Sequence, residues 1–279
     1  MLQKAIEDNI VDEPKLSELD FWEKTYHESR LSQRYLPNPR WRLGHYELDS
    51  VFRKFLPQSP GLRLLELGCG GSVWLPYFCR EFKYEVAGVD YSLTGAQQAR
   101  VNLSRAGCEG VIINSDFLHL ESDFTGQFDI IFSFGVIEHF ASPGEIINQF
   151  SAFLKDGGII ITYIPNLIGI MGHLLKIVNQ DFYDAHKLIS LEELTKFHSD
   201  SKMDILFSSY MQFFDLNILN LSRFGPRLAR LGHLAFAALD LPALCVCKIL
   251  KRTTMPSQDF SSAILVLAKK KGVSHIGRV

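Results

Sequence analysis

A short apolar strand followed by a glycine-rich turn constrains this chain more than any other feature. Residues 64–67 are apolar except for Glu66, a pattern typical of a strand covered on both faces of a parallel sheet. Gly68-Cys69-Gly70-Gly71 follows, and residues 73–78 then predict the start of a helix. In α/β proteins a strand, a tight glycine turn and a helix bring backbone N–H groups close to a ligand. We therefore expect an α/β sheet with a ligand site at this turn.

The kind of ligand is restricted by two residues around the turn. The glycine fingerprint of dinucleotide sites requires a third glycine at the position of Val73, where none is present. The carboxylate of Glu66 would also repel a pyrophosphate, so a cationic ligand suits this turn better. Both observations disfavour a nucleotide-dependent oxidoreductase.

Two further predicted strands end in an acid. Residues 84–90 form a second apolar strand that ends at Asp90, and residues 111–117 form a third that ends at Asp116-Phe117. The acid that ends the second strand lies about twenty residues beyond the turn, as expected for one strand–helix–strand unit. An acid at the carboxyl end of a strand can accept both hydrogen bonds from a ribose diol, which predicts that role for Asp90. The helix after this strand would be capped by Ser92.

The fourth and fifth strands complete the predicted sheet core. Residues 128–135 predict a strand that leads directly into Glu138 and His139, and the fifth strand is expected at 159–165 after a Gly157-Gly158 turn.

Together these stretches resemble the class I S-adenosylmethionine-dependent methyltransferases over residues 60–166. Glu66, Gly68 and Gly70 match the family's first motif, and the sequence F-D-x-I-x-S-x-x-V-x-E-H-F at 128–140 is similar to the small-molecule and lipid-type branch, which includes quinone-biosynthesis and cyclopropane-synthase enzymes. The resemblance implies a doubly wound, seven-stranded, mostly parallel sheet with helices on both faces. It also implies S-adenosyl-L-methionine as cofactor and S-adenosyl-L-homocysteine as product.

The resemblance also implies which residues bind the cofactor. Asp90 would hold the ribose, Asp116 would accept from the adenine amino group, and the backbone N–H of Phe117 would meet the ring. The full expected cofactor set is Glu66, Gly68, Cys69, Gly70, Asp90, Tyr91, Asp116, Phe117 and Phe134.

Catalysis on a hydroxyl acceptor requires a base, because the hydroxyl must lose its proton. His139, just after the fourth strand, is the first candidate and His186 the second; the alternative is catalysis by proximity alone, with both histidines only shaping the pocket.

We find no metal-ligand spacing and expect no metal. The acceptor is expected to be a small or lipid-like molecule, with O-methylation in biosynthesis as the leading hypothesis. A relative that retains the pocket for another reaction, or as a scaffold, remains an alternative.

The chain is expected to have four parts. These are an N-terminal helical lid (1–56), a Rossmann-like cofactor-binding core (57–211), a helical insertion between the last two strands (212–261), and the last strand with a tail (262–279). The insertion is apolar and locally basic but too interrupted to span a membrane. It could be a cap on the domain, a dimer element, a peripheral membrane contact or a cover for an apolar substrate. A membrane-associated interaction protein is therefore a further alternative.

Global composition excludes some partners. The formal net charge is -2, and the Asn/Asp-Pro-Pro-Tyr tetrapeptide of amino-methylating nucleic-acid enzymes is absent, so we expect no nucleic acid partner. The five cysteines have no zinc-type spacing. No signal-peptide pattern is present at the start of the sequence, which favours a cytoplasmic location.

Overall fold

The computed structural model describes residues 15–28, 36–40, 42–120, 122–213, 241–250 and 256–272. It contains one seven-stranded sheet with the order β3-β2-β1-β4-β5-β7-β6. The strands are β1 Arg63–Leu67, β2 Glu85–Asp90, β3 Gly110–Asn114, β4 Phe128–Phe134, β5 Leu154–Pro165, β6 Met203–Phe213 and β7 Ser261–Lys270. The strands from β1 to β5 pair in parallel, whereas β7 runs antiparallel to both β5 and β6. This confirms the predicted doubly wound, mostly parallel sheet.

Helices cover both faces of the sheet. They are α1 Leu19–Glu28, α2 Leu43–Phe55, α3 Trp74–Tyr77, α4 Leu93–Arg105, α5 Pro143–Phe153, α6 Ile170–Val178, α7 Gln180–Asp184, α8 Leu191–Asp200 and α9 at 241–250. Successive residues of β1 point to opposite faces of the sheet and belong to two different hydrophobic cores. Leu64 packs with α2, α3 and α4, and Leu65 packs with α5 and α8. Burial on both faces explains why β1 shows no apolar–polar alternation.

The structure confirms the predicted cap at Ser92 and shows how two further helix ends are formed. The Ser92 side chain accepts a hydrogen bond from the Gly95 N–H at 3.0 Å and begins α4. Gly107, with φ +65°, follows the end of that helix, in the left-handed conformation that glycine adopts without strain. Ser190 and Glu193 form a capping box at the start of α8.

Three elements differ from their sequence-based bounds. The helix expected from Ser72 to Phe82 is a short α-helix followed by a π-helical turn at Phe78–Phe82, because the Ser72 hydroxyl accepts the first helical N–H groups and so lies outside the helix. β3 ends at Asn114, whose side chain donates to the Asp90 and Tyr91 carbonyls, so Asp116 lies beyond the strand. β5 begins at Leu154 rather than Ile159, with a shift in its pairing to β4.

Only part of the 212–261 insertion is described. Residues 212–213 extend β6, α9 packs Leu244 and Cys247 against Leu43 of α2, and 214–240 and 251–255 lie outside the described residues. The α9 contact favours the interpretation of the insertion as a cap. Among the described residues, no helix is both long and apolar enough to cross a membrane. The four-part division of the chain stays a prediction.

Candidate active site

A cavity of about 250 Å³ lies at the carboxyl ends of β1, β2 and β4. The sheet order reverses between β1 and β4, and α/β sheets bind ligands in the crevice at such a reversal. Of the predicted cofactor residues, the cavity lining includes Glu66, Gly68, Gly70, Asp90, Tyr91, Asp116, Phe117 and Phe134. The fold therefore brings eight of the nine together, although they come from four separate stretches of sequence.

Cys69 is the exception. Its side chain is fully buried in the core between β1, β2 and α3, and it is not part of the cavity lining. A methyl group added at Gly88 would lie 2.6 Å from the Cys69 sulfur, which shows how closely that sulfur packs against β2. Any contribution of Cys69 to the cofactor is thus limited to its backbone.

Glu66 is a buried carboxyl group at the floor of the cavity. It is 2% exposed and accepts a hydrogen bond of 2.6 Å from the Ser72 hydroxyl. Burial raises the pKa of Glu66 to about 8; the Ser72 hydrogen bond opposes this increase and the nearby Asp90 adds to it. A cationic group in the cavity would favour the ionised form, in agreement with the prediction of a cationic ligand.

The glycines let the first turn approach its neighbours closely. Gly68 has φ +74°, and a Cβ there would lie 2.4 Å from the side chain of Val136. A Cβ at Gly70 would lie 2.2 Å from the Tyr26 hydroxyl and 2.8 Å from Oδ2 of Asp90. Larger residues at either position would fill the crevice or move its walls.

Asp90 connects the first and second turns. Its Oδ2 accepts the Gly70 N–H at 2.6 Å, and its Oδ1 accepts the Ser92 N–H at 2.9 Å. Burial raises the pKa of Asp90 to about 6, and these two backbone hydrogen bonds partly oppose the shift. Each carboxylate oxygen keeps a further lone pair, so the group can also accept from a diol.

Asp116 closes the opposite end of the cavity. Its Oδ1 accepts the Leu118 N–H at 3.1 Å and caps a 3₁₀ turn, while its Oδ2 forms an ion pair with the ammonium group of Lys15. That ammonium group also lies 4.9 Å from the centre of the Tyr91 ring. Sequence reasoning did not find Lys15, which lies in the N-terminal part of the chain and carries no motif.

Two aromatic residues of α1, Trp22 and Tyr26, form part of the cavity lining. Trp22 lies edge-on to His139, with ring centres 4.8 Å apart, and its indole N–H donates to Ser17. Tyr26, one turn further along α1, packs on the glycine turn at Gly70 and Gly71.

The two candidate histidines lie beside each other. Their ring centres are 4.3 Å apart, and His139 lines the cavity whereas His186 lies behind it. Nδ1 of His139 lies 2.8 Å from the Ala185 carbonyl oxygen, and Nδ1 of His186 lies 2.6 Å from that of Phe182. Burial lowers the pKa of His139 to about 3 and that of His186 to about 4, so both imidazoles are neutral at pH 7.

Glu138 joins the two histidines in one group. Its carboxylate and the ring nitrogens of His139 and His186 all lie within 4.8 Å of one another. Spacing along the sequence could not reveal this group, because His186 comes from the segment after β5.

A model of a methyltransferase domain matches residues 40–197, more than half of the chain. Among curated proteins, the ubiquinone biosynthesis O-methyltransferase of Bradyrhizobium sp. (strain ORS 278) is 27% identical over 174 residues, which is 57% of this chain and 68% of that protein. The protein of the same description from Caulobacter sp. (strain K31) is 27% identical over 52% of this chain and 60% of its own length. The matched regions thus cover about three fifths to two thirds of the length of these relatives.

Solved structures share the fold at lower identity. Phosphoethanolamine N-methyltransferase 2 of Haemonchus contortus, in complex with S-adenosyl-L-methionine, aligns with a TM-score of 0.60 and 20% identity, over 91% of this chain and 60% of that one. The [4+2]-cyclase SpnF aligns with a TM-score of 0.60 and 15% identity, over 93% and 98% of the two chains.

Proposed function

Because this chain belongs to the methyltransferase domain family and is an S-adenosylmethionine-dependent methyltransferase, we propose that it methylates an oxygen atom of a small, largely apolar acceptor that carries a hydroxyl group. The observation that carries this proposal is the position of His139. Its neutral ring forms part of the cavity wall beside Trp22, at the end of β4. A hydroxyl acceptor must lose a proton, whereas a thioether acceptor needs no base.

The cofactor would lie along the carboxyl ends of the strands. Asp90 would accept from the ribose hydroxyls, Asp116 would accept from the adenine amino group in place of Lys15, and Glu66 would face the amino group of the methionine part. In support, all three acids line one cavity, and backbone N–H groups hold Asp90 and Asp116 in place. In this orientation the sulfonium group of S-adenosylmethionine would point toward Phe134 and His139.

Methyl transfer requires alignment more than chemical activation by the protein. The acceptor oxygen attacks the methyl carbon in line with the sulfur, the carbon–sulfur bond breaks, and its electron pair returns to sulfur to give S-adenosylhomocysteine. The hydroxyl proton leaves toward the neutral imidazole of His139 or toward solvent. His186 would hold the His139 ring in position from behind.

The acceptor side of the cavity is apolar and aromatic. Phe134 stacks on Tyr163 with ring centres 4.0 Å apart, and Val136 and Phe140 continue the same wall. These surfaces suit a planar ring or an alkyl chain. The names of the curated relatives support a phenolic acceptor of the quinone-precursor type. N-Methylation is the second candidate function, because phosphoethanolamine N-methyltransferase 2 has the same fold.

We also propose that the outer face of α9 contacts a membrane surface or a second copy of this chain. On α9, Val246, Ile249 and Leu250 are 54%, 79% and 60% exposed, while Leu244 faces α2. An outward apolar face on α9 fits the peripheral role considered for 212–261.

The proposal is tested by replacing His139. In an assay of S-adenosylhomocysteine release with a series of phenols, His139→Ala is expected to lower kcat about 10²-fold while changing cofactor affinity less than about threefold. The control is His27→Ala, an exposed histidine on the lid helix. Full turnover by His139→Ala would exclude a role for this residue in the proton step, and turnover of amines but not phenols would exclude O-methylation.

A further inference from the structure

The ammonium group of Lys15 lies at the end of the cavity where Asp116 and Tyr91 meet. It forms an ion pair with Oδ2 of Asp116 and lies 4.9 Å from the centre of the Tyr91 ring. All three residues line the cavity. Because a carboxylate and an aromatic face both attract a cation, the ammonium group has two favourable contacts at this position. His119 is less well placed for the same oxygen, since its Nδ1 lies 3.8 Å away and its side chain is 53% exposed.

The backbone of the same segment fixes the position of Lys15. Lys15 pairs with Phe140 in an antiparallel bridge, and the Leu16 N–H donates to the His139 carbonyl oxygen at 2.8 Å. These contacts hold the segment against the chain that follows β4. The Lys15 side chain therefore starts from an anchored backbone beside the cavity, and its contact with Asp116 does not depend on the side chain alone.

We propose that Lys15 is an internal competitor of the cofactor. The inference rests on the proposed orientation of the cofactor, in which Asp116 accepts from the adenine amino group. In that orientation the adenine ring needs the carboxylate oxygen and the aromatic surface that the Lys15 ammonium group contacts. The Lys15–Asp116 ion pair must therefore break before the ring can bind, and the cost of breaking it lowers the affinity for the cofactor.

The change that releases Asp116 is small. The side chains of Lys15 and Asp116 are 25% and 20% exposed, so the ammonium group can turn into solvent while the backbone contacts of Lys15 and Leu16 stay in place. An ion pair that is partly open to water contributes only modestly to stability. The competition therefore lowers the affinity by a limited factor and does not abolish binding.

The competition acts equally on both forms of the cofactor. S-adenosylmethionine and S-adenosylhomocysteine carry the same adenosine part, and Lys15 contacts only the residues proposed for that part. Lys15 is thus expected to weaken substrate and product by the same factor, and it does not select between them.

Lys15→Met tests the competition, because methionine removes the ammonium group and keeps most of the apolar stem. By calorimetry at low salt, we expect S-adenosylhomocysteine to bind about three- to tenfold tighter to Lys15→Met than to the wild type. The ratio of the two affinities should shrink when the salt concentration is raised from about 0.05 M to about 0.5 M, because salt screens the partly exposed ion pair of the wild type. S-adenosylmethionine should give the same ratio.

Two further variants control for charge and position. Lys15→Arg keeps the positive charge and should show no gain in affinity. Lys24→Gln removes an exposed lysine of α1 and should bind like the wild type. Binding by Lys15→Met that is equal to or weaker than that of the wild type would overturn the competition.

Asp116→Ala, made in the Lys15→Met background, separates this inference from the proposed function. In that background no ammonium group competes, so any loss of affinity reports the carboxylate alone. A loss in the double variant without a gain in Lys15→Met would overturn the competition and leave the proposed orientation of the cofactor intact. A double variant that binds S-adenosylhomocysteine as tightly as Lys15→Met would contradict that orientation itself.

Discussion

The Asp90 carboxylate shows how much a single side chain contributes at this site. It accepts N–H groups from the turns after β1 and after β2, so it fixes the width of the crevice between them. The same oxygens are the ones proposed to accept from ribose. Burial puts its pKa at about 6, close to neutral, which makes cofactor binding sensitive to pH.

Cofactor affinity is expected to fall as the pH is lowered through 6. The ionised form of Asp90 accepts more hydrogen bonds than the protonated form. Because the pKa of Asp90 is about 6, lowering the pH from 7.5 to 5 should weaken S-adenosylhomocysteine binding about tenfold. Glu66, with a pKa of about 8, also contributes to this pH dependence, because the cationic cofactor favours its ionised form. Calorimetry across this range measures it.

Asp90→Asn is the control for this pH effect. The asparagine cannot take up the proton, so the affinity of the variant should be weaker at pH 7.5 and should fall less than that of the wild type between pH 7.5 and pH 5. A slope equal to that of the wild type would assign the titration to another group.

At the scale of elements, the lid helix α1 contributes to the site through close packing against the glycine turn and α4. A Cβ atom added at Gly95 would lie only 2.8 Å from the ring of Tyr26. The same atom would lie 3.0 Å from the backbone of Gly70. The N-terminal strand bridge at Lys15, paired with Phe140, attaches the lid to the end of β4. The lid, the first turn and α4 thus form one wall of the cavity.

Gly95→Ala tests this packing. Alanine is favoured over glycine within a helix by about 1 kcal/mol, so stability alone should not suffer much. The added methyl group must displace the Tyr26 ring or the Gly70 backbone, and we expect S-adenosylhomocysteine affinity to fall at least tenfold. Gln97→Ala, exposed on the same helix, should leave the affinity unchanged. Equal affinities for the two variants would show that the lid does not depend on this contact.

At the scale of the whole molecule, the sheet was predictable and the group behind the cavity was not. Burial on both faces and strands ending in acids are local patterns, so β1, β2 and β4, as well as Ser92 and the Ser190 capping box, could be inferred from the sequence. Lys15 and the contact between Glu138 and His186 depend on tertiary packing of distant segments, which leaves no periodicity in the sequence. The expectation of no metal came from spacing along the sequence alone and stays a prediction.

The most direct measurement of the central claim is calorimetric titration of the purified chain with S-adenosylhomocysteine, alongside Asp90→Ala. We predict one binding site of micromolar affinity in the wild type. In Asp90→Ala the binding should be weaker by about 1.5–3 kcal/mol, as expected for hydrogen bonds to a charged group. Asp200→Ala, an exposed acid at the end of α8, should bind like the wild type. Absence of binding in the wild type, or equal affinity in Asp90→Ala, would contradict the assignment of this cavity as the cofactor site.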